Sequence, residues 1–249
     1  MPVRSASSLA DAPSAAAQAL DVLREHSLSS LAQRELERRI ISGEIPAGSK
    51  LNEVEVATAL GVSRGPVREA FAALGQAGLV RVEKNRGVFV RQVSLDEANE
   101  FYEVRAALEG LIGRLAARRI SLEEIEQLRA VVRRMHQVQK GRRPEEYFVL
   151  NVDFHDRLAR AARNQALLAH YRGVVNQLDL YRRATISRSV ENIPLSTEEH
   201  EAIVEAVAAR DEARAEALLT AHVLSSRARL HASLGTAAPP PVPAPAGRA

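Results

Sequence analysis

Two sets of side chains in this sequence have the type and spacing for binding chemistry. Arg64 and Arg68 stand four residues apart in a stretch of helical period, so their guanidinium groups leave one face together. An arginine fork on such a face can take the O6 and N7 of a guanine or clamp a phosphate. Asn151 and His155 are also four apart, and His200 and His222 fall in two further helical stretches. Three imidazoles with an amide oxygen beside one of them form a donor set suited to Zn, Ni or Fe, with positions left open for water or a ligand. Taken singly, each of these histidines reads better as a surface or hydrogen-bonded core residue than as a ligand.

The elements that must carry the arginines can be followed along the chain. Leu51, Val56, Ala57 and Leu60 make the apolar face of a first helix, and Gly61-Val62-Ser63 supplies a turn with Ser63 as a side-chain N-cap. A second helix then starts at Arg64, with Pro66 in its first turn, where a missing N–H is harmless. Its apolar stripe is Val67, Ala70, Phe71 and Leu74. Gly65 removes a side chain between the two arginines and lets the backbone approach a groove wall. After Gly78-Leu79, Val80 and Val82 alternate with Arg81 and Glu83, and Val88-Phe89-Val90 returns the chain as a β-hairpin. Asn85 and Gly87 suit positive φ in its turn, and Lys84 and Arg86 at the tip can reach the DNA backbone or minor groove. Helix, turn, helix and basic hairpin in this order describe a winged helix-turn-helix, whose second helix enters the major groove.

Composition sets the boundaries. The 249 residues suffice for two small domains, each with its own core. Lys plus Arg number 34 against 31 Asp plus Glu, a net charge of only +3, and between Leu31 and Arg91 ten Lys/Arg face seven Glu. DNA binding must then come from a local patch and not from a polyelectrolyte arm. The absence of cysteine excludes disulfides, thiol catalysis and Cys-ligated zinc. No apolar run reaches the length of a membrane span, and the N-terminus lacks the basic-then-apolar order of a signal peptide, so a cytoplasmic protein with no membrane partner is expected. Residues 1–26, rich in Ala and Ser, and the Pro/Ala-rich 236–249 read as disordered tails. Between them lie a DNA-binding domain over 27–93 and an all-helical domain over 94–235.

The second domain should be a six-helix bundle, which makes the fold mainly α with a small β-hairpin wing. Ser94-Leu95-Asp96-Glu97 caps a helix to about Arg119, and Ser121-Leu122-Glu123-Glu124 is a capping box for one to about Lys140. A third runs from about Pro144 to Ala162 and a fourth from Gln165 to about Arg188. A fifth starts behind Ser196-Thr197-Glu198-Glu199 and ends near Arg210, and Asp211 caps a sixth to about Leu234. His155, His200 and His222 then lie on three helices of one bundle. His26, His136, His170 and His231 are left as surface or packing residues. Arg105 and Glu109 form an i, i+4 pair on the first of these helices, by itself worth a few tenths of a kcal/mol.

The segment Ile40-Ile41-Ser42-Gly43-Glu44-Ile45-Pro46-Ala47-Gly48-Ser49-Lys50-Leu51-Asn52-Glu53, followed by Gly61-Val62-Ser63-Arg64-Gly65-Pro66-Val67-Arg68-Glu69-Ala70, resembles the N-terminal domain of GntR-family transcription regulators. The resemblance implies that Arg64 and Arg68 contact an operator and that Lys84 occupies a groove-reading position. Val54 replaces a residue that is basic in some relatives, and Gly65 one that often bears a hydroxyl. Asn151-Val152-Asp153-Phe154-His155, Glu199-His200-Glu201-Ala202-Ile203 and Ala221-His222 are similar to the ligand-bearing segments of the FCD domain, the FadR-type effector domain of these regulators, and Val104-Arg105-Ala106-Ala107-Leu108-Glu109 is similar to its first helix. That resemblance implies a divalent metal, Zn or Ni, held by Asn151, His155, His200 and His222. It also makes Arg105 the cationic partner of a small carboxylate effector, with Tyr102 and Asn164 lining the pocket. Asn in place of Asp removes a negative charge from the ligand set.

The resulting expectation is a non-enzymatic, ligand-responsive regulator, a repressor in most of the family, working as a C2 homodimer on palindromic operator DNA. The alternatives are a DNA-binding protein whose helical domain only dimerises, and a metal-dependent hydrolase, for which no poised general base is found. Metal held by neutral imidazoles should be lost as pH falls below about 6.5.

Overall fold

The structure, a computed structural model, describes residues 27–185 and 193–236. The expected tails, apart from Thr236, lie outside the described residues, as do His26 and the expected helix end near Arg188.

Helix α1 (Leu28–Ser42) starts under Ser27, whose hydroxyl accepts the Ser30 N–H at 3.1 Å, and it stops at Gly43. Strand β1 (Lys50–Leu51), helices α2 (Glu53–Leu60) and α3 (Arg64–Gln76), and strands β2 (Val80–Glu83) and β3 (Gly87–Val90) follow. The strands form an antiparallel sheet in the order β1-β3-β2, with Leu51 and Val82 both registered on Val88. The expected hairpin is present, its turn made by Asn85 at φ +62° and Gly87 at φ +112°.

Two local expectations are corrected. Leu51 belongs to β1 and not to the first helix, and Asn52 is the cap, its side-chain oxygen accepting the Val54 N–H at 2.9 Å. A buried residue just ahead of a helix satisfies the apolar period without sharing the helix. Ser63 does occupy the N-cap of α3, but its hydroxyl makes no capping bond. A cap of this kind draws on the N–H two or three positions into the helix, and the third position here is Pro66, which has none.

The helical region comprises α4 (Leu95–Arg119), α5 (Leu122–Lys140), α6 (Pro144–Ala161), α7 (Gln165–Thr185), α8 (Ile193–Ala208) and α9 (Glu212–Ser233). Both α4 and α5 open with complete capping boxes, Ser94 with Glu97 and Ser121 with Glu124, and Asp211 caps α9 through the Arg214 N–H at 3.0 Å. Helix α8 begins three residues earlier than Ser196. Thr197 is fully buried within it, its hydroxyl donating to the Ile193 carbonyl one turn back at 2.8 Å. Pro194, in the first turn, was the informative start signal, and the Ser-Thr-Glu-Glu run only imitates a cap.

Close approach of α4 and α9 is built on glycine. A Cβ at Gly113 would stand 2.6 Å from the Ala215 carbonyl oxygen, and one at Gly110 would stand 2.6 Å from Thr220 Oγ1. The main core, with Ile112, Leu128, Met135, Phe154, Leu158, Ile203 and Leu219, fills the bundle beneath these helices. Helix α7 belongs to three cores. It gives Tyr171 to the bundle, Leu178 and Tyr181 to a cluster around Tyr102, and Leu180 to the core that Leu36, Phe71, Leu74 and Val90 form in the N-terminal helices and sheet.

Candidate metal centre and nucleic-acid interface

Each histidine of the expected site comes from a different helix, and each is there because its neighbours bury it. On α6, Phe154 and Leu158 face the core and bring His155 with them; α8 buries His200 beside Ile203 and Val204; α9 buries His222 beside Leu219 and Val223. The three rings meet. His155 Nε2 lies 3.2 Å from His222 Nε2 and 3.3 Å from His200 Nε2, and one nitrogen from each ring falls within 4.8 Å of the others. Nitrogens about 2.05 Å from a tetrahedral zinc are separated by about 3.3 Å, so the spacing suits a single cation. Asn151 lies one turn ahead of His155 on α6 and is half-buried, whereas Asp153 is paired with Arg157 at 2.8 Å.

Electrostatics favour neutral imidazoles. Burial pushes the His200 pKa well below the usual histidine value, and the neighbouring cationic groups push the same way. Burial likewise lowers His222 to about 4, against the upward pull of Glu199. Neutral rings can each offer a lone pair to a metal, which imidazolium cannot.

Two carboxylates stand behind the rings. Glu109, on α4, is fully buried, with Oε2 2.7 Å from His155 Nδ1, a contact bent away from the ideal hydrogen-bond line, and with Oε1 accepting from Arg105 Nε at 2.6 Å. Burial raises its pKa, but the charge of Arg105 and the proximity of His155 outweigh burial and hold the carboxyl well below its ordinary range. Glu199, on α8, meets His222 Nδ1 at 2.7 Å and is gripped by Arg229 at 3.0 and 3.1 Å. Burial opposes its ionisation too, yet these partners bring its pKa down to about 2.

Among the expected effector residues, Arg105 is 3 % exposed and Tyr102, one turn before it, is 0 % exposed with no hydrogen-bond partner for its hydroxyl among the described residues. The Arg105–Glu109 pair read from spacing is thus real, and it is buried. Tyr171 of α7 lies near enough to Arg105 for its ionisation to be influenced by that charge, and burial pushes its phenol well above 10. Asn164 is engaged elsewhere: its side-chain oxygen accepts the Leu167 N–H at 3.1 Å at the start of α7. Sequence reasoning missed the histidine contacts of Glu109 and Glu199, because both are made between helices. Their sequence neighbours, Arg105 and His200, pointed to other roles.

In the N-terminal domain, Arg64 and Arg68 are exposed and reach the same oxygen, Oε2 of Glu53, at 3.0 and 2.8 Å. Gly65 has open space where a Cβ would stand. Lys84 is exposed at the hairpin tip, and Arg86 pairs with Glu83 while its guanidinium sits 5.6 Å over the Phe89 ring. Lys50 approaches the same ring from β1 at 6.0 Å, adding a cation to the wing that periodicity did not single out.

Comparison with known proteins finds two families along the chain. Residues 28–90 match the family described as bacterial regulatory proteins, gntR family, and residues 100–225 match the FCD domain. A Paenarthrobacter nicotinovorans protein described as a D-xylose utilization operon transcriptional repressor is 35 % identical over 186 residues, 74 % of this chain and 80 % of that protein. The Nta operon transcriptional regulator of Aminobacter aminovorans is 32 % identical over 184 residues, 74 % of this chain and 85 % of that protein. In fold, E. coli McbR/YncC superposes with a TM-score of 0.72 over 84 % of this chain and 99 % of its own, at 19 % identity.

Proposed function

Because this chain belongs to the GntR family of transcriptional regulators and carries its FCD domain, we propose that it is a repressor that senses a small carboxylate through a metal held in its helical domain. In this reading residues 27–93 bind DNA and 94–235 bind the effector and pair two subunits in the cytoplasm. The chain is not an enzyme. The observation that carries the reading is the convergence of three buried histidines, His155 standing 3.2 Å from His222 and 3.3 Å from His200, with Arg105 also buried.

His155, His200 and His222, with Asn151 one turn away, are the ligands of this reading, and a bound Zn or Ni would supply a Lewis-acidic position for an effector oxygen. The ionic groups that touch the rings cancel in pairs, Arg105 with Glu109 and Arg229 with Glu199. A divalent cation among neutral imidazoles is then left without a counter-charge, which an anionic effector provides. The fork of Arg105 suits the carboxylate at the effector's other end.

Helix α7 offers a route to the DNA. Tyr171 is buried within reach of the Arg105 charge, and five to nine residues further on the same helix engages the DNA-reading segment: Asn176 Nδ2 donates to Glu37 at 3.3 Å, Gln177 accepts from Arg91, and Leu180 enters its core. A ligand that prefers one position of α7 alters the spacing of two recognition helices in a homodimer and so the fit to a palindromic operator. Moving that equilibrium from almost fully bound to almost fully released takes about 5.5 kcal/mol of differential affinity.

On DNA, Arg64 and Arg68 read the major groove with Gly65 giving clearance. Ser63, whose hydroxyl is not used as a cap, adds a phosphate or base contact, and Lys84 and Arg86 hold the wing to the backbone. The test is operator binding by fluorescence anisotropy, using DNA selected in vitro by the protein, against a panel of small carboxylates with Zn or Ni and after chelation. Release of DNA by an acid only in the metal-loaded protein is expected. Release that survives both chelation and Arg105→Gln overturns the reading.

A further inference from the structure

The two carboxylates behind the histidines do more than balance charge. Each takes the Nδ1 side of one ring, 2.7 Å from His155 for Glu109 and 2.7 Å from His222 for Glu199. Each is fixed in turn by an arginine: Arg105 Nε lies 2.6 Å from Glu109, and Arg229 makes two bonds to Glu199, with the Ser225 hydroxyl donating a third at 2.8 Å. A carboxylate facing Nδ1 selects the ring form that carries its proton there, and it leaves Nε2 as the bare nitrogen. The Nε2 atoms of these two rings are the pair that stand 3.2 Å apart. Two bare nitrogens at that distance would repel each other, so that pair of tautomers needs a partner at each Nδ1 to hold it, and a carboxylate stands at both. His200 supplies an internal comparison: its Nδ1 is buried with neither a hydrogen bond nor a facing carboxylate among the described residues, whereas His155 Nδ1, also without a well-aligned bond, faces Glu109 Oε2 at 2.7 Å.

We propose that Glu109 and Glu199 are positioning residues of the metal centre: they lock His155 and His222 as Nδ1–H tautomers and aim both Nε2 lone pairs at one point. Glu109 also holds Arg105, so one buried carboxylate sets both the metal ligand and the effector arginine. An anion that draws Arg105 off Glu109 leaves that carboxylate to His155 alone, which strengthens the ring as a ligand. Metal and anion therefore bind with positive coupling, each raising the affinity of the other by the same factor. This inference rests on the metal reading above for its purpose, but the tautomers exist with or without a metal.

The test uses the full chain stripped of metal and labelled with ¹⁵N-histidine. Long-range ¹H–¹⁵N correlation should show Nδ1–H forms for His155 and His222, with no such bias at His200. Co²⁺ affinity, from competition with a chromophoric chelator, should fall about 10- to 100-fold in Glu199→Gln and again in the paired variant Arg105→Gln with Glu109→Gln, which removes both charges together and avoids a lone buried ion. The Co²⁺ absorption bands should move with each loss, and Glu199→Asp should recover most of the affinity. An Nε2–H form at either ring in the unsubstituted protein, or Co²⁺ affinity unchanged in both variants, overturns the assignment. If the unsubstituted protein takes up no Co²⁺, Zn²⁺ or Ni²⁺, the metal reading fails, and the tautomers alone decide whether the carboxylates position the rings.

Discussion

Gln177, in the middle of α7, accepts a hydrogen bond from the guanidinium of Arg91, which follows the last strand of the DNA-reading sheet and also grips Glu97 at 2.8 Å on α4. A Cβ at Gly78 would stand 2.7 Å from Gln177 Cδ, so this residue also fits tightly against the turn that ends α3. Helix α7 is thus anchored to the DNA-binding core where the turn after α3 meets the end of β3.

Leu180 is the apolar part of that anchor, 4 % exposed. Leu180→Ala should cost roughly 2 to 5 kcal/mol through lost burial and an incompletely closed cavity. The loss should be local: amide exchange should quicken in α1 and α3, while α5 and α6 exchange as before. Equal acceleration in every helix would mean that α7 does not join two separable units.

Arg64 and Arg68 are tied to Glu53, so DNA that takes either guanidinium has to compete with that carboxylate. Arg64→Ala or Arg68→Ala should weaken operator binding by about 1 to 3 kcal/mol if the residue forks a base, with relaxed preference at that base. Lys84→Ala should instead weaken all sequences alike and lower the slope of log affinity against log salt by about one. Glu53→Gln should tighten binding by freeing both guanidinium groups. Anisotropy titrations over a salt series separate these outcomes.

Much of this architecture was legible because it depends on local physics. The Ser94 and Ser121 capping boxes and the Asp211 cap fixed helix starts to the residue, since a cap bond involves only four consecutive residues. The Asn85 and Gly87 turn was visible for the same reason. The start of α8 was misplaced because Ser196-Thr197-Glu198-Glu199 has a cap's composition, and only burial of Thr197 shows it to be helix interior. The histidines could be grouped by resemblance to a family. The link of Glu109 to His155, forty-six positions away, and of Glu199 to His222 depends on how α4 meets α6 and α8 meets α9, which no local pattern encodes.

That helix meeting is itself testable at Gly113. A methyl there has to displace the Ala215 backbone, 2.6 Å away, and the Leu219 side chain, 2.8 Å away. Gly113→Ala gains helix propensity of somewhat under 1 kcal/mol but meets backbone that cannot turn aside. A net destabilisation of about 1 to 3 kcal/mol is expected, read as a lower urea midpoint at constant slope. A raised midpoint would show that α4 and α9 slide apart cheaply.

The pH response follows from the same burial. His200 and His222 both have folded pKa values below the unfolded value of about 6.5, with His222 at about 4. Between those limits the unfolded chain binds protons that the folded chain refuses, so stability falls as pH is lowered from about 6.5 toward 4 and is independent of these groups above 6.5. The His222 shift alone is worth roughly 3 kcal/mol by pH 4. Glu199, at about 2 when folded, adds a loss in the same direction only below about pH 4.5. The metal-free protein should therefore melt at steadily lower temperature from pH 6.5 downward. Metal retention should hold to a lower pH than the 6.5 expected for ordinary imidazoles, because His200 and His222 stay unprotonated there. Bound metal per subunit, measured after equilibration at pH 7, 6, 5 and 4, should stay level to about pH 5 and then fall. Release centred at 6.5 would mean that these rings are solvated like free histidine, and the buried cluster would not be what holds the ion.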